Sequence, residues 1–83
     1  MSQTRHITVK FFALLREQAG CSELALETVA PSPADLYEEL MNSRGLTVPR
    51  NILSFAVNEK YAPADAPLND GDRVAFIPPV AGG

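Results

Sequence analysis

The chain has 83 residues and a formal net charge of −3, with a pI near 4.9. A hydrophobic share of 46% beside 20% charged residues fits one folded domain and excludes a disordered chain, although a domain this size buries only about 60% of its unfolded surface. Its seven Lys and Arg residues are scattered with no two adjacent, which excludes a nucleic-acid partner, because phosphate binding needs clustered cations.

Ile7, Val9 and Phe11 alternate with Thr8, Lys10 and Phe12, the period-two pattern of a strand. Ala13 to Ala19 reads as a short helix closed by Gly20, and Glu23 to Thr28 alternates again, long enough to pair back onto the first strand. Ser32-Pro33-Ala34-Asp35 is the clearest helix start. Ser32 can cap, Pro33 suits the first helical position, and Asp35 places negative charge in the first turn. Leu36 and Leu40 share one face, and Gly45 ends that helix. Ile52 to Val57 is a third strand, Asn58-Glu59 a turn, and Lys60-Tyr61 a short fourth strand. Pro63 to Asp72 is a loop rich in turn formers. Arg73 to Ile77 is the last strand, apolar on both faces, as a central and doubly covered strand would be.

This order predicts an α+β domain with a mixed sheet of four to five strands packed on one main helix, Ser32–Arg44. Ile7, Val9 and Phe11 are assigned to the helix-covered face. Phe12 then points to the opposite face, where Ile77 joins it if the last strand lies beside the first. Phe12, Ile77, Pro78 and Val80 would form an exposed apolar patch, which marks a protein partner; the plainer alternative tucks Phe12 under a loop.

Beyond that strand the chain runs Pro78-Pro79-Val80-Ala81-Gly82-Gly83. Proline fixes φ and restricts the residue before it, whereas glycine lets the backbone approach other atoms closely. Residues 1–78 are therefore read as the domain and 79–83 as an extended tail that reaches roughly 15–18 Å when stretched. A slim tip on a stiff root can enter a narrow active site. Glycines that merely fray at a terminus are the plainer reading.

Met1 to His6 lacks the apolar stretch of a signal peptide, and no run approaches a membrane span. One cysteine, Cys21, is compatible with a reducing cytoplasm, so a cytoplasmic protein without a membrane partner is expected. His6 and Cys21 are each the only residue of their type, which leaves no metal-ligand cluster and no hydrolase-type triad. His6 is expected to be a solvated strand end.

Phe11-Phe12-Ala13-Leu14-Leu15-Arg16-Glu17, Val57-Asn58 and the block from Pro67 to Gly83, which ends Phe76-Ile77-Pro78-Pro79-Val80-Ala81-Gly82-Gly83, resemble the small-subunit family of molybdopterin synthase in order and spacing along essentially the whole chain. The resemblance implies a ubiquitin-like β-grasp fold and a sulfur carrier of molybdenum cofactor biosynthesis. It implies that a ubiquitin-activating-like adenylyltransferase uses ATP to adenylate Gly83, which becomes a thiocarboxylate. The tail, with Ala81 and Gly82, would then enter the large synthase subunit and give sulfur to cyclic pyranopterin monophosphate. A heterotetramer with two large subunits is implied, with the catalytic pocket on the large subunit and no cofactor bound by this chain. Phe12, Arg16, Ile77, Pro78, Pro79 and Val80 are the expected partner-binding residues, Arg16 being the charged one; a solvated helix charge is the alternative for it. Two departures stand out. Asn58-Glu59 replaces a frequent Asn-Gly, and Ala81 stands where Ser or Thr is also common.

Three other readings follow from the same residues. Carriers for thiamine, for tRNA thiolation or for protein conjugation share the fold and the Gly-Gly tail, though the Pro78-Pro79-Val80-Ala81 lead-in favours the molybdopterin branch. A β-grasp interaction module with inert glycines belongs to a different class. Cys21 as the sulfur-handling group is the weakest, since no basic residue stands near it in Gly20-Cys21-Ser22 to activate a thiol.

Overall fold

Alternating residues of the first strand divide cleanly: Ile7, Val9 and Phe11 are almost wholly buried, whereas Thr8 and Lys10 are only half-buried. The computed structural model describes residues 4–79; of the residues expected in the tail, Val80, Ala81, Gly82 and Gly83 lie outside that range. Strand β1 (Arg5–Phe11) is followed by helix α1 (Leu14–Ala19), β2 (Glu23–Thr28), helix α2 (Pro33–Arg44), β3 (Ser54–Val57), β4 (Lys60–Ala62) and β5 (Arg73–Ile77). The sheet order is β2-β1-β5-β3-β4. β1 and β5 pair in parallel, with Val9 opposite Val74 and Phe11 opposite Phe76, and the other pairs are antiparallel. A mixed sheet wrapped on one long helix is the β-grasp fold.

Helix α2 begins where its cap was expected. The Ser32 Oγ accepts a hydrogen bond from the Asp35 amide at 3.3 Å, and Gly45 ends the helix at φ 68°, donating its N–H to the Met41 carbonyl. A positive φ at that position is cheap only for glycine. The helix buries Leu36, Tyr37 and Leu40 against β1, β3 and β5. Tyr37 packs edge-on to Phe76 at 5.0 Å between ring centroids and to Phe55 at 6.5 Å, geometry that aromatic quadrupoles favour. Its hydroxyl donates to the Val48 carbonyl at 2.7 Å, so the one polar atom of this buried ring is satisfied.

Three expectations need correction. β5 is central in the hydrogen-bonding sense but covered on one face only: Val74 and Phe76 are fully buried, whereas Ala75 and Ile77 are only half-buried. Among the described residues one helical layer exists, and the apolar residues on the second face of the sheet have no helix over them. The third strand begins at Ser54, because Pro49 opens a 3-10 turn over Arg50–Ile52 closed by bonds from the Ile52 and Leu53 amides. Helix α1 begins at Leu14, and Ala13 takes a non-helical conformation.

The β3–β4 turn is built as a two-residue hairpin with φ 52° at Asn58 and 70° at Glu59. Both values belong to the turn type that usually takes Asn-Gly, so Glu59 occupies a glycine position. Asn58 locks the turn to the next strand: its Nδ2 donates to the buried Asp72 at 3.0 Å and its Oδ1 accepts the Arg73 amide at 3.0 Å. Asp72 in turn accepts the Asn69 amide at 2.8 Å, so one polar cluster sets where β5 begins.

Replacing Tyr37 by Phe should cost about 1–3 kcal/mol, because the Val48 carbonyl would stay buried without its donor. Chemical denaturation of Tyr37→Phe, with an unchanged denaturant slope, checks this; an unchanged midpoint would show that the bond contributes nothing.

Candidate functional site

At the C-terminal end of β1 the chain makes a tight knuckle. The Leu15 amide donates to the Phe12 carbonyl at 3.1 Å, and Ala13 sits at φ 52°, ψ −128°. Those angles belong to the first central position of a type II′ turn, normally held by glycine. The turn carries Phe12 and Leu14 outward, 44% and 48% exposed, while Leu15 returns to the core with no exposed surface. The parallel pairing of β1 with β5 places Ile77 beside this knuckle. Pro78 and Pro79 follow directly.

Phe12, Leu14, Ile52, Ile77, Pro78 and Pro79 line one apolar groove of about 720 Å³, completed by Ala13 and by Thr47–Pro49. Exposed apolar surface of this extent, gathered at one place, marks an interaction site. The expected partner residues Phe12, Ile77, Pro78 and Pro79 therefore come together, and Phe12 is not tucked under a loop. Val80 lies outside the described residues. Arg16 is exposed on α1 and does not line the groove. Leu14 and Ile52 were missed: Leu14 reads as one more apolar helix residue, and Ile52 as a strand residue, until the knuckle and the 3-10 turn rotate them outward.

A second hollow of about 290 Å³ adjoins the groove on the open sheet face, sharing Phe12 and Ile77 and adding Lys10, Tyr61 and Arg73. Among the described residues no group of three or more His, Cys, Asp or Glu could hold a metal ion, and no helix is long and apolar enough to cross a membrane. Cys21 does have a basic neighbour in space. The Arg44 Nη1 lies 4.0 Å from its sulfur while donating to the Ala19 carbonyl at 2.9 Å, a meeting of α2 with the α1–β2 loop that local sequence does not reveal.

A family model matches residues 9–83, the ThiS family. The chain belongs to the ThiS family. A "Molybdopterin synthase sulfur carrier subunit" of Escherichia coli is 36% identical over 80 residues, an alignment covering 93% of this chain and 99% of that one. Among solved structures, a "Putative molybdopterin converting factor, subunit 1" from Pyrococcus furiosus superposes with a TM-score of 0.73 at 30% identity, covering 92% of this chain and 99% of the other. A "Protein-protein complex of subunit 1 and 2 of Molybdopterin-converting factor" from Helicobacter pylori contains a chain with a TM-score of 0.64 and 24% identity, covering 94% and 99%; at that identity the likeness concerns the fold. For this ThiS-family chain the groove includes Pro79, the last described residue, and the sequence continues Val80-Ala81-Gly82-Gly83.

At the other end of β1, His6 is more than a solvated strand end. Its Nδ1 lies 3.0 Å from the Asp70 carboxylate and its Nε2 2.7 Å from that of Glu27, all three side chains being mostly exposed. Its backbone amide also donates to Asp70 at 2.6 Å, and its carbonyl accepts the Gly71 amide at 2.7 Å. With an acceptor at each ring nitrogen, the protonated imidazole is the form that satisfies both contacts. The hydrogen bond to Asp70 is the main cause that raises the His6 pKa above its ordinary 6.5, with the charges of Asp70 and Glu27 adding to it. The His6 backbone and ring donors hold Asp70 below its ordinary 3.8.

Two predictions follow from these two ends of β1. Ala13→Gly should raise the melting temperature by a few degrees, since relief of roughly 1–2 kcal/mol of positive-φ strain exceeds the entropy that glycine adds to the unfolded chain; a lower melting temperature would contradict the strain. For His6, the sign follows from linkage. A raised folded pKa gives stability that is complete below pH 6.5 and disappears as pH rises through the higher folded value. The Asp70 contribution is complete above pH 3.8 and disappears as pH falls through its lowered value. Melting curves across pH should therefore decline above 6.5, and His6→Gln should flatten that decline. An NMR titration of the ring should place its midpoint above 6.5.

Proposed function

We propose that this chain is the sulfur carrier subunit of a molybdopterin synthase, charged with sulfur at the carboxyl group of Gly83. The observation that carries this reading is the apolar groove at Phe12, Ile77, Pro78 and Pro79, from which the sequence continues Val80-Ala81-Gly82-Gly83. A docking surface at the root of a segment that ends in two glycines is what a carrier needs: one part to hold a partner, another to enter it. The likeness to the Escherichia coli sulfur carrier subunit and to the Pyrococcus furiosus converting-factor subunit supports the same reading. The Helicobacter pylori structure, a complex of subunits 1 and 2, is compatible with a second subunit as the partner, and the groove is the surface we assign to it.

The chemistry follows from the group involved. A carboxylate is a poor electrophile. An oxygen of the Gly83 carboxylate attacks the α-phosphorus of ATP, pyrophosphate leaves, and the resulting acyl-adenylate has AMP as its leaving group. Sulfide-level sulfur (HS⁻) released by a donor then attacks the carbonyl carbon, the bond to the adenylate oxygen breaks with AMP as leaving group, and loss of the sulfur proton leaves a thiocarboxylate. The reactive group is a backbone terminus, so the nucleotide site belongs to a ubiquitin-activating-like adenylyltransferase and the pterin pocket to the large subunit. Cyclic pyranopterin monophosphate receives the sulfur there, in the cytoplasm. Glycine at Gly82 and Gly83 removes the Cβ atoms that would obstruct a narrow channel, while Pro78-Pro79 limits the conformations the segment must lose on insertion.

Intact-protein mass spectrometry after incubation with ATP, the activating enzyme and a sulfur source should show one oxygen replaced by sulfur, mapped to Gly83. A protein with one residue added after Gly83 should fold and show no gain. Phe12→Asp should leave the fold intact and weaken binding of the large subunit by about tenfold or more, since a hydrophobic anchor would become a charge that must be desolvated. An unchanged mass, with an activating enzyme that loads another carrier in the same assay, would overturn the carrier reading in favour of an inert module. Loading that succeeds while the chain binds a thiazole synthase instead of the large subunit would keep the chemistry and change the pathway.

A further inference from the structure

The apolar groove lies at one end of the sheet, and a different feature runs along its side. Strand β2 is the outermost strand beside β1, and among the described residues nothing pairs with its outer edge. Its register with β1 places Leu24 opposite Val9 and Leu26 opposite Ile7. The Phe11 amide bonds the Ser22 carbonyl at 3.0 Å in the same register, so the inward hydrogen-bonding residues of β2 are Leu24, Leu26 and Thr28. The amides and carbonyls of Glu23, Ala25 and Glu27 consequently point outward. The parity of β1 agrees, because the Thr8 amide points the other way, to the Asp72 carbonyl of the β5 side.

Natural sheets blunt such edges with proline, lysine, bulges or short strands. Strand β4, the opposite edge, does so: it has three residues, includes Lys60 and runs into Pro63. Strand β2 has six paired residues, Glu-Leu-Ala-Leu-Glu-Thr, without proline, lysine or bulge. Beside it an open crevice of about 590 Å³ runs between β2 and α2, lined by half-buried Leu24 and Leu26, by Leu40, and at the rim by Glu39, Ser43 and Arg44. On the other face Glu23 and Glu27 flank Ala25, all three exposed; Arg73 lies 3.6 Å from Glu23 and His6 2.7 Å from Glu27, yet each carboxylate side chain keeps more than half of its surface exposed.

We infer that the outer edge of β2 accepts an extended segment of another protein as a sixth strand, with basic residues alternating with apolar ones. Main-chain bonds to Glu23, Ala25 and Glu27 hold the segment, as in other strand additions. Its apolar side chains fill the crevice over Leu24, Leu26 and Leu40, and its Lys or Arg residues lie opposite Glu23 and Glu27, where cross-strand charge pairs are favourable. A second copy of this chain is a poor occupant. In the two-fold arrangement centred on Ala25, Glu23 of one copy faces Glu27 of the other on the same face, and like charges directly opposite are destabilising. The acidic pair thus turns away self-pairing while attracting a basic strand.

A short capped peptide alternating lysine and valine is the probe, titrated into the isotopically labelled protein and followed by NMR. Saturable shifts confined to β2 and the facing surface of α2, with slowed exchange of the Glu23, Ala25 and Glu27 amides, are expected. Ala25→Pro should weaken binding by about tenfold or more with little change in melting temperature, because the Ala25 amide makes no ladder bond and proline is tolerated where an edge N–H faces solvent. Glu23→Lys should weaken the lysine–valine peptide and improve a glutamate–valine one. Equal binding of a peptide with the same composition in two blocks would overturn the inference, as would shifts at the Phe12–Ile77 groove in place of β2. Concentration-dependent self-association through β2 would overturn it too.

Discussion

The contact between Tyr37 and Phe76 fixes the position of both walls of the groove. Phe76 is fully buried on β5, with Tyr37, Phe55 and Phe11 around it at 5.0, 5.7 and 6.0 Å. Residues Ile77, Pro78 and Pro79 follow it in sequence, so anchoring this ring sets where one wall stands. Tyr37 holds the other wall: its hydroxyl bonds the Val48 carbonyl, within the segment that supplies Thr47, Pro49 and Ile52 to the groove. One aromatic pair between α2 and β5 therefore connects packing in the core to the shape of the groove that Ile77, Pro78 and Pro79 line. In an aromatic cluster this close-packed, a shift of one ring is felt by its neighbours.

Period and capping made much of this legible in the sequence. The alternation at Ile7, Val9 and Phe11 and the Ser32-Pro33 helix start rest on local physics, and both lie where they were expected. The groove was half legible. Phe12 and Ile77 could be placed on one face once β1 and β5 were imagined side by side, because strand parity carries orientation across a pairing. Leu14 and Ile52 could not. Their exposure depends on a positive φ at Ala13 and on a 3-10 turn begun by Pro49, and neither is encoded in hydrophobic periodicity. Likewise His6 meets Asp70 across 64 positions of sequence, and Cys21 meets Arg44 across 23; such pairings come from topology alone.

Ala13 and Glu59 have a common logic. Each stands at a positive φ usually given to glycine, and each is adjacent to a hollow on the open side of the sheet. Local strain of this kind persists only where the surrounding structure over-determines it. At Ala13 the determining forces are visible: Phe11 and Leu15 are both driven into the core, and the three residues between them must turn sharply to allow it. At Glu59 the Asn58–Asp72 hydrogen bonds hold the turn. Core packing thus imposes the knuckle, and the knuckle exposes Phe12.

A thin core sharpens the meaning of what is left outside it. A chain of this length cannot bury all of its apolar residues, so scattered exposure of the kind seen at Val29 needs no explanation. Phe12 with Leu14, Ile52 and Ile77 are different because they come from three separate segments and converge on one groove. Chance exposure would spread them, and convergence requires the fold to bring them together. The edge of β2 is distinct in kind, since its attraction lies in backbone groups and two carboxylates as well as in the apolar crevice beside it. The two surfaces lie on different strands, β5 with the end of β1 for the groove and β2 for the edge. A partner seated on one leaves the main-chain groups of the other unchanged.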